Sequence, residues 1–137
     1  MFEIDSEKTI HLTRGDIAVI EIGANTIIPD DNEAINSAKH SFQPNDVVRF
    51  SVVEKGKYDV VVLSKDTIVQ SETTSVDISL DSTDTKIGEP INKPKDYWYE
   101  IELNPDTLPQ TLIGHDKAGP KIFRLYPEGD DKSGYLG

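Results

Sequence analysis

Along most of the chain apolar and polar residues alternate with a period of two. In DVVRFSVVEK, Val48, Phe50 and Val52 fall on one face while Arg49 and Ser51 fall on the other, the pattern of a strand with one buried side. SVDISL passes the same test, Val76, Ile78 and Leu80 alternating with Asp77 and Ser79, and so does KIFRLY, where Phe123 and Leu125 oppose Arg124. Further strands are predicted at TIHLTR, IAVIEI, DVVVLSK, DYWYEIEL and QTLIGH, about eight in all. Turn residues separate them: Arg14-Gly15-Asp16, Pro44-Asn45-Asp46, Asn104-Pro105-Asp106 and Lys117-Ala118-Gly119-Pro120. Gly56, in KGKY, can take the positive φ of a tight hairpin, so DVVRFSVVEK and DVVVLSK are expected to pair antiparallel. Asp16 is expected to accept hydrogen bonds from free backbone amides in its turn.

Helical pattern is sparse. Residues 30–40, DDNEAINSAKH, could form a short helix inside a long connection, and residues 82–87 a single turn capped by Ser82 or Asp81. Short strands joined by Gly, Pro and Asp turns predict an all-β fold: an antiparallel β-sandwich, immunoglobulin-like in architecture, with one or two short helical turns. The expected layout is one domain over residues 1–129, with an insertion loop at about 23–41 and a flexible polar tail at 130–137.

The strand DYWYEIEL holds the one tryptophan of the chain. Alternation puts Tyr97, Tyr99, Ile101 and Leu103 on the core face and leaves Trp98 outside with Glu100 and Glu102. A ring in that position is covered by a loop or neighbour of its own chain, covered by a protein partner, or used as a platform for a sugar; Trp is enriched at the energetic centres of interfaces because it buries much area for little lost rotamer freedom. Trp98, Glu100 and Glu102 are therefore the candidate docking surface.

Composition narrows the partners. The net charge of −11 and the pI near 4.6 argue against nucleic acid and against anionic lipid, since both demand a surplus of Lys and Arg. With no cysteine there is no disulfide and no thiolate chemistry, so packing must supply the stability. The start, MFEIDSEKTI, has neither a basic opening nor an apolar run of signal-peptide length, which predicts synthesis in the cytoplasm without a signal peptide.

Catalytic constellations are thin. His11, His40 and His115 form no metal-spaced pair, and Asp30-Asp31-Asn32-Glu33 lacks the alternating ligands, central Gly and distal Glu of a calcium loop. No phosphate-cradling glycine loop and no Gly-x-Ser-x-Gly elbow occurs. With 25 Asp and Glu residues, a chance pair of carboxylates distinguishes nothing. The expectation is a non-enzymatic protein with no cofactor and no metal. Arg14-Gly15-Asp16 also spells a cell-adhesion signal, but a turn is the simpler reading.

Read in order, LTRGD, FQPNDVVRFSV, VDISLDSTDT, YWYEIEL, QTLIG and KIFRLYPEG resemble the N-terminal domain of the phage baseplate upper protein family, over residues 9–129 apart from the insertion. Arg14, Gly15 and Asp16 match the family's opening turn. Phe42, Asn45 and Asp46 match an aromatic followed by a Gly-Asp turn, Asn45 standing where Gly is usual, a mild change because Asn tolerates the left-handed conformation. Asp84 and Thr85, the Tyr97-Tyr99-Ile101-Leu103 face, and Thr111, Ile113 and Gly114 match three further stretches. The resemblance implies a phage or prophage structural protein that docks onto a tail or baseplate, resides in the virion, partners other tail or baseplate proteins and forms a possible homo-oligomer. The alternative is a carbohydrate-binding module, which needs a second aromatic beside Trp98, with Tyr58, Tyr126 and Tyr135 as candidates.

Overall fold

The computed structural model describes residues 1–24 and 41–129. Among them nine strands follow in order: β1 (Phe2–Ile4), β2 (Ile10–Thr13), β3 (Ala18–Gly23), β4 (Val47–Glu54), β5 (Lys57–Ile68), β6 (Ser75–Leu80), β7 (Lys95–Leu103), β8 (Gln110–Ile113) and β9 (Lys121–Tyr126). Seven of them form one sheet in the order β1-β2-β9-β7-β4-β5, with β8 pairing the C-terminal part of β7; β3 and β6 pair as a small second sheet. The expected all-β sandwich-like architecture is what the chain adopts.

The two sheets meet in one apolar core, where the positions that alternation assigned inward on β4, β6, β7 and β9 are joined by residues of β2 and β3. From the small sheet come Ala18, Ile20, Ile22, Val76, Ile78 and Leu80; from the large one Leu12, Val48, Phe50, Tyr99, Ile101 and Phe123, all in one buried apolar cluster. Phe50 sits between Tyr99 and Phe123, with ring centroids 5.8 and 6.2 Å away. At each such position the transfer of a large side chain from water contributes about 1.5–3 kcal/mol. Tyr99 is fully buried, so its hydroxyl needs an acceptor, which it finds in the carbonyl of Lys8 at 2.6 Å.

The hairpin β4–β5 closes as expected, Glu54 opposite Lys57 and Gly56 at φ +79°. Asn45 at φ +74° and Gly15 at φ +89° take the left-handed conformation their turns require. Asp46 secures its turn: its carboxylate accepts from the Gln43 amide at 2.8 Å and from the Asn104 side chain at 3.1 Å. Gly114 serves differently. An added Cβ would lie 2.7 Å from the Thr111 methyl, so close approach and not a positive φ excludes a side chain there. Residues 82–87 close as one turn in which Asp81 is the cap, its Oδ1 accepting from the Asp84 amide at 2.8 Å.

The strands expected, about eight, are nine among the described residues, the addition being β1, whose three residues are too few to show an alternation and which pairs antiparallel with β2. Two expectations need correction. The pairing is not wholly antiparallel: β2 and β9 run parallel, Ile10 opposite Phe123, a juxtaposition of distant segments that no local turn constrains. The Asp16 carboxylate takes the terminal ammonium of Met1 in place of turn amides, while the Asp16 amide donates to the Thr13 carbonyl. Gly23 closes β3, and the Ala24 amide donates to the Thr74 carbonyl at 2.7 Å; residues 25–40, most of the insertion expected at about 23–41, lie outside the described residues. The helix expected at 30–40, the acidic turn Asp30–Glu33, His40 and the tail at 130–137 lie outside the described residues.

Candidate functional site

Strand β7 is the centre of the large sheet, flanked by β4 on one side and by β9 and β8 on the other. Its burial alternates along the whole length, with Tyr97, Tyr99, Ile101 and Leu103 buried and Trp98, Glu100 and Glu102 half-buried on the outer face. The register then fixes their neighbours: Trp98 lies beside Val53 and Ile122, Glu100 beside Ser51, and Glu102 beside Arg49.

Two residues cover Trp98. The Tyr58 ring, from the start of β5, lies 5.3 Å from it at 45°, and the His115 ring, just past β8, stands edge-on at 6.0 Å and 80°. The Tyr58 hydroxyl and His115 Nδ1 are 3.2 Å apart, a hydrogen bond that ties the two covering rings together. Beneath them Val53 is 2% exposed although it is on the outer face, so the triad roofs a small apolar patch on the solvent side of the sheet. The indole Nε1 is buried with no acceptor among the described residues. Of the covers weighed from the sequence, a neighbour in the same chain is the one found; Tyr58 stays 38% exposed at the top of the stack.

Toward the other end of the same face the chemistry turns acidic. Arg49 donates to Asp66 at 2.7 and 3.0 Å and to Asp106 at 3.1 Å, which raises its pKa above the usual guanidinium range and holds that of Asp66 below the usual carboxylate range. Burial, then the neighbouring Glu102, pushes the Glu100 carboxyl up, and burial, then Glu100, does the same to the Tyr58 phenol. A strip of Glu100, Glu102, Asp66 and Asp106 thus abuts the aromatic triad, with Arg49 as its one basic member in the strip described.

A shallow cavity of about 210 Å³ opens beside the triad, lined in part by Lys8, Thr111, Gly114, His115, Asp116 and Lys121. Its buried Lys121 is matched by Asp116 at 2.9 Å. Of the other histidines, His11 is held between Asp5 and the Tyr126 hydroxyl at 2.9 and 2.8 Å. Among the described residues no group of three or more His, Asp or Glu side chains is disposed to hold a metal ion, and no helix is long and apolar enough to cross a membrane.

Sequence reasoning placed Trp98, Glu100 and Glu102 on one face and missed His115 as a partner. A signal for Tyr58 existed: the hairpin turn at Lys55-Gly56 sets Lys57 opposite Glu54, so Tyr58 starts the strand beside β4, which pairs in turn with the strand that carries Trp98. His115 arrives through the β7–β8 pairing, which alternation alone does not specify. Comparison with family models, curated proteins and solved structures finds no match.

Proposed function

We propose that the chain is a non-enzymatic phage or prophage structural protein, a β-sandwich that docks onto a tail or baseplate through protein contacts on the outer face of its large sheet. The observation that carries this is the composition of that face: Tyr58, exposed over a pre-packed Trp98–His115 base, beside the acidic strip of Glu100, Glu102, Asp66 and Asp106. Aromatic anchors held rigid before binding lose little entropy when covered, and a one-sign rim selects a partner of the opposite sign. The partner surface this face fits is apolar at its centre and lined by Lys or Arg. The ordered likeness of LTRGD through KIFRLYPEG to the baseplate upper protein family supplies the tail or baseplate, and virion residence follows from it.

Tail particles purified after induction of the source bacterium test the reading. The chain present at a fixed ratio to the other tail proteins, and lost from particles that carry Tyr58→Ala, supports it; the chain abundant in the lysate and absent from the particles refutes it.

One observation favours the second reading, a carbohydrate-binding module. It requires another aromatic beside Trp98, and Tyr58 fulfils that requirement. Quenching or a blue shift of the Trp98 emission on titration with cell-wall glycans would select it.

A further inference from the structure

The large sheet ends in two very different edges. On one side β1 has three residues, the short kind of edge strand that gives a neighbouring chain little to pair with. On the other, β5 runs for 12 residues, about twice the usual strand length. Its ladder to β4 uses one side of the backbone; the strand order stops there, so among the described residues the opposite side is unpaired.

The side chains along this edge are unusual for an open one. Register shifts at Val52/Val53 and Val53/Glu54 set extra residues of β5 against β4, and as a result the consecutive Val60 and Val61 are both exposed, at 40% and 54%. Ile68 at the far end is 55% exposed. Charge frames the apolar run on both sides. Lys57 and Asp59 precede it and Lys65 and Asp66 follow it, two of each sign, in a chain whose net charge is −11. Lys65 and Asp66 are held in position by Asp84 at 3.0 Å and Arg49 at 2.7 Å. Lys57 and Asp59 have no ion pair among the described residues.

We propose that β5 is a homodimer interface, at which two copies of the chain pair their β5 edges antiparallel about a two-fold axis at Val62. Antiparallel reversal brings the Lys57–Asp59 end of one strand to the Lys65–Asp66 end of the other. With the axis at Val62, Asp59 of each copy lies opposite Lys65 of the other, once at each end, and the apolar residues between them meet across the seam, Val62 against its own copy and Val61 against Leu63. Self-complementarity of this kind is what a two-fold interface demands, since each patch must fit its own copy. The edge is also the electrically balanced part of an otherwise acidic surface, so it is where two copies can approach against their mutual repulsion. The pairing leaves the Tyr58–Trp98–His115 face of both copies on the same side of one continuous sheet. It concerns the isolated chain and does not depend on tail docking.

Sedimentation equilibrium of the full chain, from micromolar to millimolar, tests it. The expected result is a mass that rises with concentration from 15.2 kDa toward twice that value. Val61→Lys, at an exposed position, is expected to keep the wild-type circular dichroism spectrum and remain a monomer. Asp59→Lys turns an attractive pair repulsive at each end of the two-fold and is expected to raise the dissociation constant about tenfold; it carries the test should Val61→Lys not fold. A wild-type mass fixed at 15.2 kDa up to millimolar concentration would overturn the proposal and leave the edge to a strand of another protein. So would a dimer indifferent to both substitutions, which would place its interface elsewhere. Because the measurement needs no tail particle, its failure and that of the docking reading are separate results.

Discussion

Trp98 can be tested by two substitutions that the structure predicts will behave very differently. Truncating a buried Trp to Ala costs about 3–5 kcal/mol in a full core. Trp98 is half-buried under Tyr58 and His115, so Trp98→Ala is expected to cost about half of that, ~2 kcal/mol. For a domain of this length each kcal/mol lowers the melting temperature by about 3–5 °C, which gives a drop of about 6–10 °C. Trp98→Phe removes less. The lost part of the ring corresponds to ~40 Å² of contact, about 1 kcal/mol at 25 cal/mol per Å². Against this stands the indole Nε1, buried with no acceptor among the described residues, whose removal relieves a desolvation cost of about 1–3 kcal/mol. The two contributions offset, and Trp98→Phe is expected to melt within about 3 °C of the wild type. Thermal melts followed by far-ultraviolet circular dichroism measure both, since the variants lose the Trp emission. A Trp98→Ala protein that melts like the wild type would refute the packing of the ring. A Trp98→Phe protein that falls as far as Trp98→Ala would show that Nε1 donates to an acceptor after all.

Three further outcomes are expected. Glu100→Gln relieves a carboxylate that burial and Glu102 both disfavour, and should stabilise by about 0.5 kcal/mol, the scale of like charges on one strand face; because the folded pKa lies above the unfolded 4.5, the gain is present at neutral pH and vanishes as pH falls below 4.5, so equal gains at pH 7 and pH 4 in urea titrations would contradict it. Tyr99→Phe deletes the donor to the Lys8 carbonyl inside the core and should cost about 1–2 kcal/mol in the same titration, with the fold retained; no loss would mean that the hydrogen bond contributes nothing net. Asp96 accepts from Arg124 at 2.7 and 3.1 Å, which lowers its folded pKa below the unfolded 3.8, so Asp96→Asn should cost about 1 kcal/mol above that value and progressively less as pH falls through the folded pKa. A cost that persists unchanged at pH 2 would assign it to packing.

What the sequence determined by itself was the face of each residue. Alternation along β4, β6, β7 and β9 depends only on the two-residue period of a strand, so it named Val48, Phe50, Ile78, Tyr99, Ile101 and Phe123 as core and put Trp98, Glu100 and Glu102 outside. Local turn chemistry did the same for Gly15, Asn45 and Gly56, because a positive φ is a property of one residue. Tertiary structure decided which strands are neighbours, since pairing across long separations carries no local signature. That is why the parallel β2–β9 pair, the three residues of β1 and the open edge of β5 were not legible. It also decided the environment of Trp98: Tyr58 and His115, 40 and 17 residues away in the chain, reach the ring only because β5 follows β4 through a tight hairpin and β8 pairs with the end of β7. Alternation says which way a side chain points, and only the assembled sheet says what it meets there.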